Sequence, residues 1–398
     1  MQFSVALGPL IVLALLNSPL FVGLTSAILS GSRFIASYPF GRLTDRYGRK
    51  PGLYLGLALG LIGALVVGWG TNAGSLAGFV VGLVCFSVGM NGVQQLRLAA
   101  AEMYPPDRRA FVLGLILSGS LVGVVVAPSM VALAETVAPS MGISSLALPW
   151  LFFPALLVPA SVMVSLVRPD PREIAVNLSR YYPAYRATVR QESARGFGVR
   201  AYLANAQRRL ATLTMLCATA AMQMAMITVP LQLHQHGHSI AQIALSASLH
   251  IGGMFGLSIP VGKLADRFGY RIVLIAGALV EMVGAAITTL GTDYVTITAG
   301  ILLVGIGWCG ANVSSTAMVM DATAPAARGR AVGILDTASA LGVVFPLSVG
   351  VLVAVWGVGV AGVVAIVILL PALVASLRTA ASTRPGLEVE ATFSIAPR

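Results

Sequence analysis

A ten-residue charged segment, Gly41-Arg-Leu-Thr-Asp-Arg-Tyr-Gly-Arg-Lys50, returns 221 positions later as Gly262-Lys-Leu-Ala-Asp-Arg-Phe-Gly-Tyr-Arg271. Each copy follows one long apolar run and precedes another, so the chain reads as a duplicated unit. The surroundings decide what kind of unit it is. Of 398 residues, 57% are hydrophobic and only 10% are charged, and the mean hydropathy is +0.89. A soluble globular chain carries roughly 25% charged residues. Apolar runs this long and this poor in charge fold as membrane-spanning helices, because in lipid each segment has to satisfy its own backbone polar groups.

Runs of about 20 apolar residues predict spans over 20–40, 53–70, 75–97, 110–133, 147–167, 210–231, 240–261, 272–290, 295–319, 331–354 and 357–377. The stretch from Val5 to Leu16 is shorter than the ~17 residues a crossing needs. It reads as the outer part of a first helix, truncated at its start, which completes a plan of twelve. The expected organisation is an all-α polytopic protein: a transmembrane bundle over 1–167, a cytoplasmic linker over 168–209, a second bundle over 210–377 and a cytoplasmic tail over 378–398.

The charges set the orientation. Of the 25 Lys and Arg residues, all but Arg33 and Arg97 fall in alternate connections, at their edges or in the tail. The positive-inside rule makes those connections cytoplasmic, together with both termini, in the inner membrane of a cell. The net charge of +11 is therefore a topology signal. Nucleic acid is excluded as a partner, since no soluble segment is large enough to present a basic groove. No phosphate-binding Gly-x-x-x-x-Gly-Lys-Ser/Thr loop, Ser/His pair or His-Glu-x-x-His occurs, so ATP as energy source and catalysis are both disfavoured, and no cofactor is expected. Cys85, Cys217 and Cys309 lie within apolar runs and suggest neither a metal site nor a disulfide. His234, His236 and His238 alternate in an expected external connection, where solvation is the default over metal binding.

The repeated segment has a physical reading of its own. Gly41 and Gly48, like Gly262 and Gly269, allow a tight reversal between helices. Asp45 and Asp266 can accept hydrogen bonds from free amides at a nearby helix start, where the dipole favours an anion. Arg46, Arg49 and Lys50, and Arg267 and Arg271, sit at headgroup level and hold the hairpin inside. A charged latch of this kind is made in one conformation and broken in another.

At this point the chain resembles the major facilitator superfamily, whose signature is a Gly-x-x-x-Asp-Arg-x-Gly-Arg-Lys loop after the second span, repeated after the eighth. The resemblance implies two pseudo-symmetric six-helix bundles that rock about a central cavity. It also implies that Asp45 latches onto the start of span eleven near Arg330, and Asp266 onto the start of span five near Arg109. A second family pattern, the Gly-x8-Gly-x3-Gly-Pro-x2-Gly-Gly of its antiporters, is half kept: Gly114, Gly123 and Pro128 match, whereas Ala127, Val131 and Ala132 replace glycines. The Arg that many proton-coupled members carry at the start of span four is missing from Ser75–Phe79. The resemblance is thus to bacterial drug:proton antiporters. It implies a monomer that exports small amphipathic organic molecules against protons. The alternatives are an uptake symporter for a small anionic metabolite and a membrane sensor that no longer transports.

Polar residues within the spans are the site candidates, since a charge at mid-bilayer costs about 2.5–3.5 kcal/mol. Arg33 in span two leads, with His250 in span eight as its nearest counterpart in the repeat, a pair suited to an anion or a proton. Asn91, Gln94 and Gln95 share a face of span four, with Arg97 just beyond. By family analogy Gln223 in a Met-rich span seven, and Trp308 and Asn312 in span ten, face the cavity. Asp321 and Asp336 read as partners for loop arginines, and Glu281, near the middle of span nine, as a possible proton site.

Overall fold

The computed structural model describes residues 2–17, 24–183, 197–238, 240–343, 356 and 359–378. The tail beyond 378, the middle of the linker (184–196), the later part of the expected eleventh span (344–354) and the side chain of Pro128 lie outside the described residues. No strand occurs among those described. The first half holds α1 (Gln2–Leu16), α2 (Leu24–Tyr47), α3 (Arg49–Asn72), α4 (Leu76–Val93), α5 (Gln95–Glu102), α6 (Arg109–Ser118), α7 (Ser120–Met141) and α8 (Leu148–Leu166). Three short helices follow: α9 (Pro171–Val176), α10 (Leu178–Tyr181) and α11 (Val199–Ala204). The second half holds α12 (Ala206–Gln235), α13 (Ile240–Gly256), α14 (Ser258–Phe268), α15 (Tyr270–Leu290), α16 (Tyr294–Asp321), α17 (Arg328–Ala340) and α18 (Gly359–Arg378).

Eight helical runs among the described residues are long and apolar enough to cross a bilayer, with α4–α5 and α13–α14 each counting as one. Side chains such as Ile62, Val81, Val283 and Val367 are exposed on the outside of the bundle, which suits lipid and not water. The helices pack through glycine, as expected where apolar side chains gain little from leaving a medium as apolar as themselves. A Cβ on Gly56 of α3 would stand 2.8 Å from the Gly89 carbonyl oxygen of α4. In the second half, one on Gly277 of α15 would stand 2.9 Å from the Gly307 carbonyl oxygen of α16. Gly56 and Gly277 are separated by the same 221 positions as the charged segments. The helix starts repeat too: Ser75 caps α4 by accepting from the Gly78 amide (3.2 Å), and Asp293 caps α16 by accepting from the Thr296 amide (3.0 Å). The Thr296 hydroxyl and amide hold the Asp293 carboxyl below the usual carboxylate range.

One expectation is corrected. Gly41 and Gly262 lie inside α2 and α14, not in a turn. The reversal falls entirely on Gly48 (φ 100°) and Gly269 (φ 91°), which enter the left-handed region that glycine tolerates best. Gly41 and Gly262 serve a different need, close approach. A Cβ on Gly41 would stand 2.0 Å from the Gly329 carbonyl oxygen of α17, and one on Gly262 would stand 2.3 Å from that of Ala110 in α6. Through these contacts the halves meet crosswise, α2 on α17 and α14 on α6.

Candidate functional site: two clasps and a buried arginine cluster

Asp45, in the last turn of α2, accepts from the amides of Gly329 (2.8 Å) and Arg330 (2.9 Å) at the start of α17, and from Arg330 Nε (3.1 Å). These amides are orphan donors of a helix start, and the carboxylate both satisfies them and meets the positive end of the dipole. Behind Asp45 lies Arg49, fully buried, which donates to Asp45 (3.2 Å), to the Thr44 hydroxyl (2.7 Å) and twice to Glu102 at the end of α5 (2.7 Å each). The paired geometry with Glu102 is the strong, bidentate form of the arginine–carboxylate bond.

The second copy repeats the plan with other side chains. Asp266 accepts from the amides of Ala110 (3.0 Å) and Phe111 (2.8 Å) at the start of α6. Tyr270 stands where the repeat puts Arg49, and its hydroxyl donates to Asp321 (2.7 Å) at the end of α16 with the Pro106 carbonyl as an alternative acceptor (3.1 Å). Arg109 adds an ion pair to Asp321 across the two halves. A recess of about 390 Å³ opens beside Asp266, lined by Asp107, Arg108, Phe111, Lys263 and Arg267. The remaining basic residues of the hairpins hold the surface. Arg46 lies over Tyr47, Arg267 over Phe268, Lys50 donates to the Ser165 carbonyl (3.3 Å), and Arg271 donates to the Ser376 and Leu377 carbonyls at the end of α18.

Deeper in the bundle a third cluster joins the halves. Arg33 of α2 (3.2 Å) and Arg97 of α5 (2.5 Å) both donate to Oδ1 of Asp336 on α17, and Arg97 also donates to Asn312 Oδ1 on α16 (3.2 Å). Asp336 is thus not a loop partner, as the sequence suggested. It lies two helical turns into α17, where it faces α2 and α5. Arg97 Nε and the buried Gln95 Oε1 have no partner among the described residues, and Arg33 keeps about a third of its side chain exposed (32%). Two guanidiniums against one carboxylate leave a surplus positive charge with unspent donors.

The other candidates spread around this cluster. Trp308 donates to the Thr219 hydroxyl (3.3 Å) and meets Phe255 edge to face (centroids 6.3 Å apart). Asn91 donates to the Ser87 carbonyl of its own helix (2.8 Å), Gln94 is exposed at the break between α4 and α5, and Gln223 is half-buried on α12. His250 bonds through Nδ1 to the Ile301 carbonyl (2.8 Å) on α16, with no described contact to Arg33. Gly114 packs against the Ser258 carbonyl (Cβ would stand at 2.1 Å), and Gly123 lies in α7. His236 bonds to the Gln232 carbonyl (2.7 Å) and His238 stands against Tyr294. No metal-holding group of three His, Cys, Asp or Glu occurs among the described residues.

Sequence reasoning passed over Glu102, named Arg97 only as the polar end of span four, and read Asp336 as a partner for loop arginines. The signal for Arg97 was present, as one of two basic residues outside the alternate connections.

A family model described as the Major Facilitator Superfamily matches residues 1–195 and 211–397. This chain belongs to the Major Facilitator Superfamily. It is 28% identical over 348 residues to the MFS-type transporter YdeG of Bacillus subtilis (strain 168), covering 85% of this chain and 78% of that one. It is 26% identical over 334 residues to the riboflavin transporter RfnT of Brucella anthropi, covering 83% and 79%. Among solved structures, the transporter FucP in the outward conformation superposes with a TM-score of 0.69 at 15% identity, covering 88% of this chain and 89% of that one. A bacterial homologue of the iron transporter ferroportin in its outward-facing state gives 0.72 at 13%, covering 94% of each. These two show the fold alone, a multi-pass helical protein built as two pseudo-symmetric bundles.

Proposed function

We propose that this chain is a proton-coupled secondary transporter in the bacterial inner membrane that exports small amphipathic organic molecules by alternating access. The Asp45 and Asp266 clasps would be its cytoplasmic gate and the Arg33–Arg97–Asp336 cluster its solute and proton site. With the basic hairpins placed inside, both clasps are made and the cytoplasmic side is shut. That reading agrees with the outward conformation named for two structural neighbours. One observation supports the site assignment above the others: two arginines of one half converge on a single carboxylate of the other, inside the membrane. A solute anion that takes over the guanidiniums releases Asp336 to a proton, and the ion pair joining the halves is lost in the same event. Trp308 and Phe255 nearby suit a flat organic body.

The surplus positive charge favours a second reading, uptake of a small anionic metabolite. The same experiment separates the two. The full chain is reconstituted in liposomes of known orientation with a pH-sensitive dye inside, and riboflavin is the first probe because a relative carries it, followed by small carboxylates. Solute-dependent proton movement opposite to solute flow supports export, and movement in the same direction supports uptake. Asp336→Asn should remove the proton movement. Proton movement that survives this change with its pH profile intact would exclude the cluster.

A further inference from the structure

Glu281, near the middle of α15, is fully buried, and neither of its carboxyl oxygens has a hydrogen-bond partner among the described residues. It is not used by the clasps or by the central cluster. The helices packed on α15 are α12, α14, α16 and α18. Cys217 of α12 is a titratable neighbour of Glu281; among the described residues the charged groups of α14 and α16, Lys263, Asp266, Arg267 and Asp321, belong to the second clasp at the helix ends, and α18 offers nothing titratable before Arg378. A carboxylate in such a place has no compensation for its lost hydration, so the group rests there as the neutral acid. Nothing in the packing of α15 requires an acid, since an apolar side chain of the same length would fill the space at lower cost.

The side of α16 that packs on α15 comes close to Glu281. Gly307 of α16 lies against it, close enough that a Cβ there would stand 2.5 Å from Glu281 Cβ. The next residue is Trp308, whose indole is held by Thr219, two positions beyond Cys217 on α12. One turn further along α16, Asn312 holds Arg97. Glycine at 277 and 307 lets α15 and α16 touch backbone to backbone.

We infer that Glu281 is a second proton-binding site, reached from the side of the central cluster when the Trp308–Thr219 hydrogen bond opens. In this step the carboxylic O–H breaks, its proton passes to a water molecule, and the carboxylate left behind takes up another proton before the contact reseals. The inference rests on the transporter reading, but its test does not need a transported solute.

The full chain in liposomes is treated with dicyclohexylcarbodiimide, which reacts with protonated carboxyls in apolar surroundings, and the modified residue is mapped by mass spectrometry across a pH series. The protonated-carboxyl band is followed in infrared difference spectra over the same range. Glu281 should be modified, its labelling should fall as pH rises, and the matching infrared change should vanish in Glu281→Gln, a variant that keeps size and removes the proton. Thr219→Val should speed the labelling by freeing Trp308. Labelling that is absent, or the same at every pH with no infrared change, would overturn the inference and show a permanently neutral acid. Either outcome leaves the Asp336 test of the transport reading untouched.

Discussion

Where Arg49 lies buried between Asp45 and Glu102 in the first clasp, the second has Tyr270, which reaches only Asp321 and a carbonyl. The backbone plan is shared. In each, an aspartate at the end of one helix takes two amides at the start of a helix from the other half. The difference is where the charge is kept. The first clasp buries two carboxylates and a guanidinium, with Arg330 at its edge, and the linker presses on it from two sides. Asp170 accepts from the Arg49 and Lys50 amides (3.2 and 3.1 Å), and Phe197 lies under both Arg208 and Arg330. Next to Phe197, Tyr202 is fully buried and shares a hydrogen bond with Thr212 (2.7 Å), and burial pushes its phenol up. The second clasp keeps its ion pair, Arg109 with Asp321, directly across the two halves, and its aspartate borders an open recess. One backbone device thus stands inside a buried charge cluster in one copy and beside an open recess in the other. The comparison teaches that the duplicated segment specifies geometry, while the residues around each copy set how firmly it closes.

The largest test of this asymmetry is to empty the buried position. Arg49→Ala leaves Glu102 without its guanidinium and Asp45 with that of Arg330 alone, and should cost about 3–5 kcal/mol, the usual penalty for stranding a buried charge. It would be read as a large fall in the unfolding midpoint of detergent-purified protein. Tyr270→Ala should cost much less, and equal losses would break the comparison. Next comes removal of the aspartate charges. Asp45→Asn weakens three bonds to a charged acceptor, each worth about 1.5–3 kcal/mol. It should abolish most solute flux while membrane insertion, checked by fractionation, stays normal; Asp266→Asn should retain more flux. Wild-type turnover in Asp45→Asn would refute the gate. Smaller again is Tyr270→Phe, which removes one hydroxyl donor to Asp321 and should lower stability by about 1 kcal/mol, with Arg109 still in place. The smallest effects belong to the surface: Arg46→Ala and Arg267→Ala should each change stability by no more than about 0.5 kcal/mol. A larger loss in either would mean that its ring contact is more than a solvated neighbour.

Much of the architecture was legible because the bilayer allows few solutions. The run at 53–70 became α3, Arg49–Asn72, and the run at 272–290 became α15, Tyr270–Leu290. The bounds differ mainly at the charged ends, where a helix continues past its apolar stretch until a residue such as Gly48 or Gly269 turns it. Polar residues were harder to place. Arg33 and Arg97 stood out as charges within apolar runs, but their shared partner lies 303 and 239 positions away, and no local pattern carries pairing over that distance. His250 is the nearest counterpart of Arg33 in the repeat, one turn from the equivalent position 254, and their surroundings differ, because His250 turns to a carbonyl of α16 and Arg33 to a carboxylate of α17. The repeat fixes backbone position, and side-chain direction follows the helices packed on it.

The amino-acid order alone determined that this chain lives in lipid, that its unit is doubled, and that its charged turns lie on one side. Each follows from the cost of leaving backbone or charge unsolvated in a bilayer, which acts on every stretch separately. Only the tertiary structure decided which charges face each other, how deep Asp336 sits, and that Glu281 has no hydrogen-bond partner among the described residues. Those outcomes depend on helices far apart in sequence meeting at glycine-lined contacts, where a single Cβ would hold them apart.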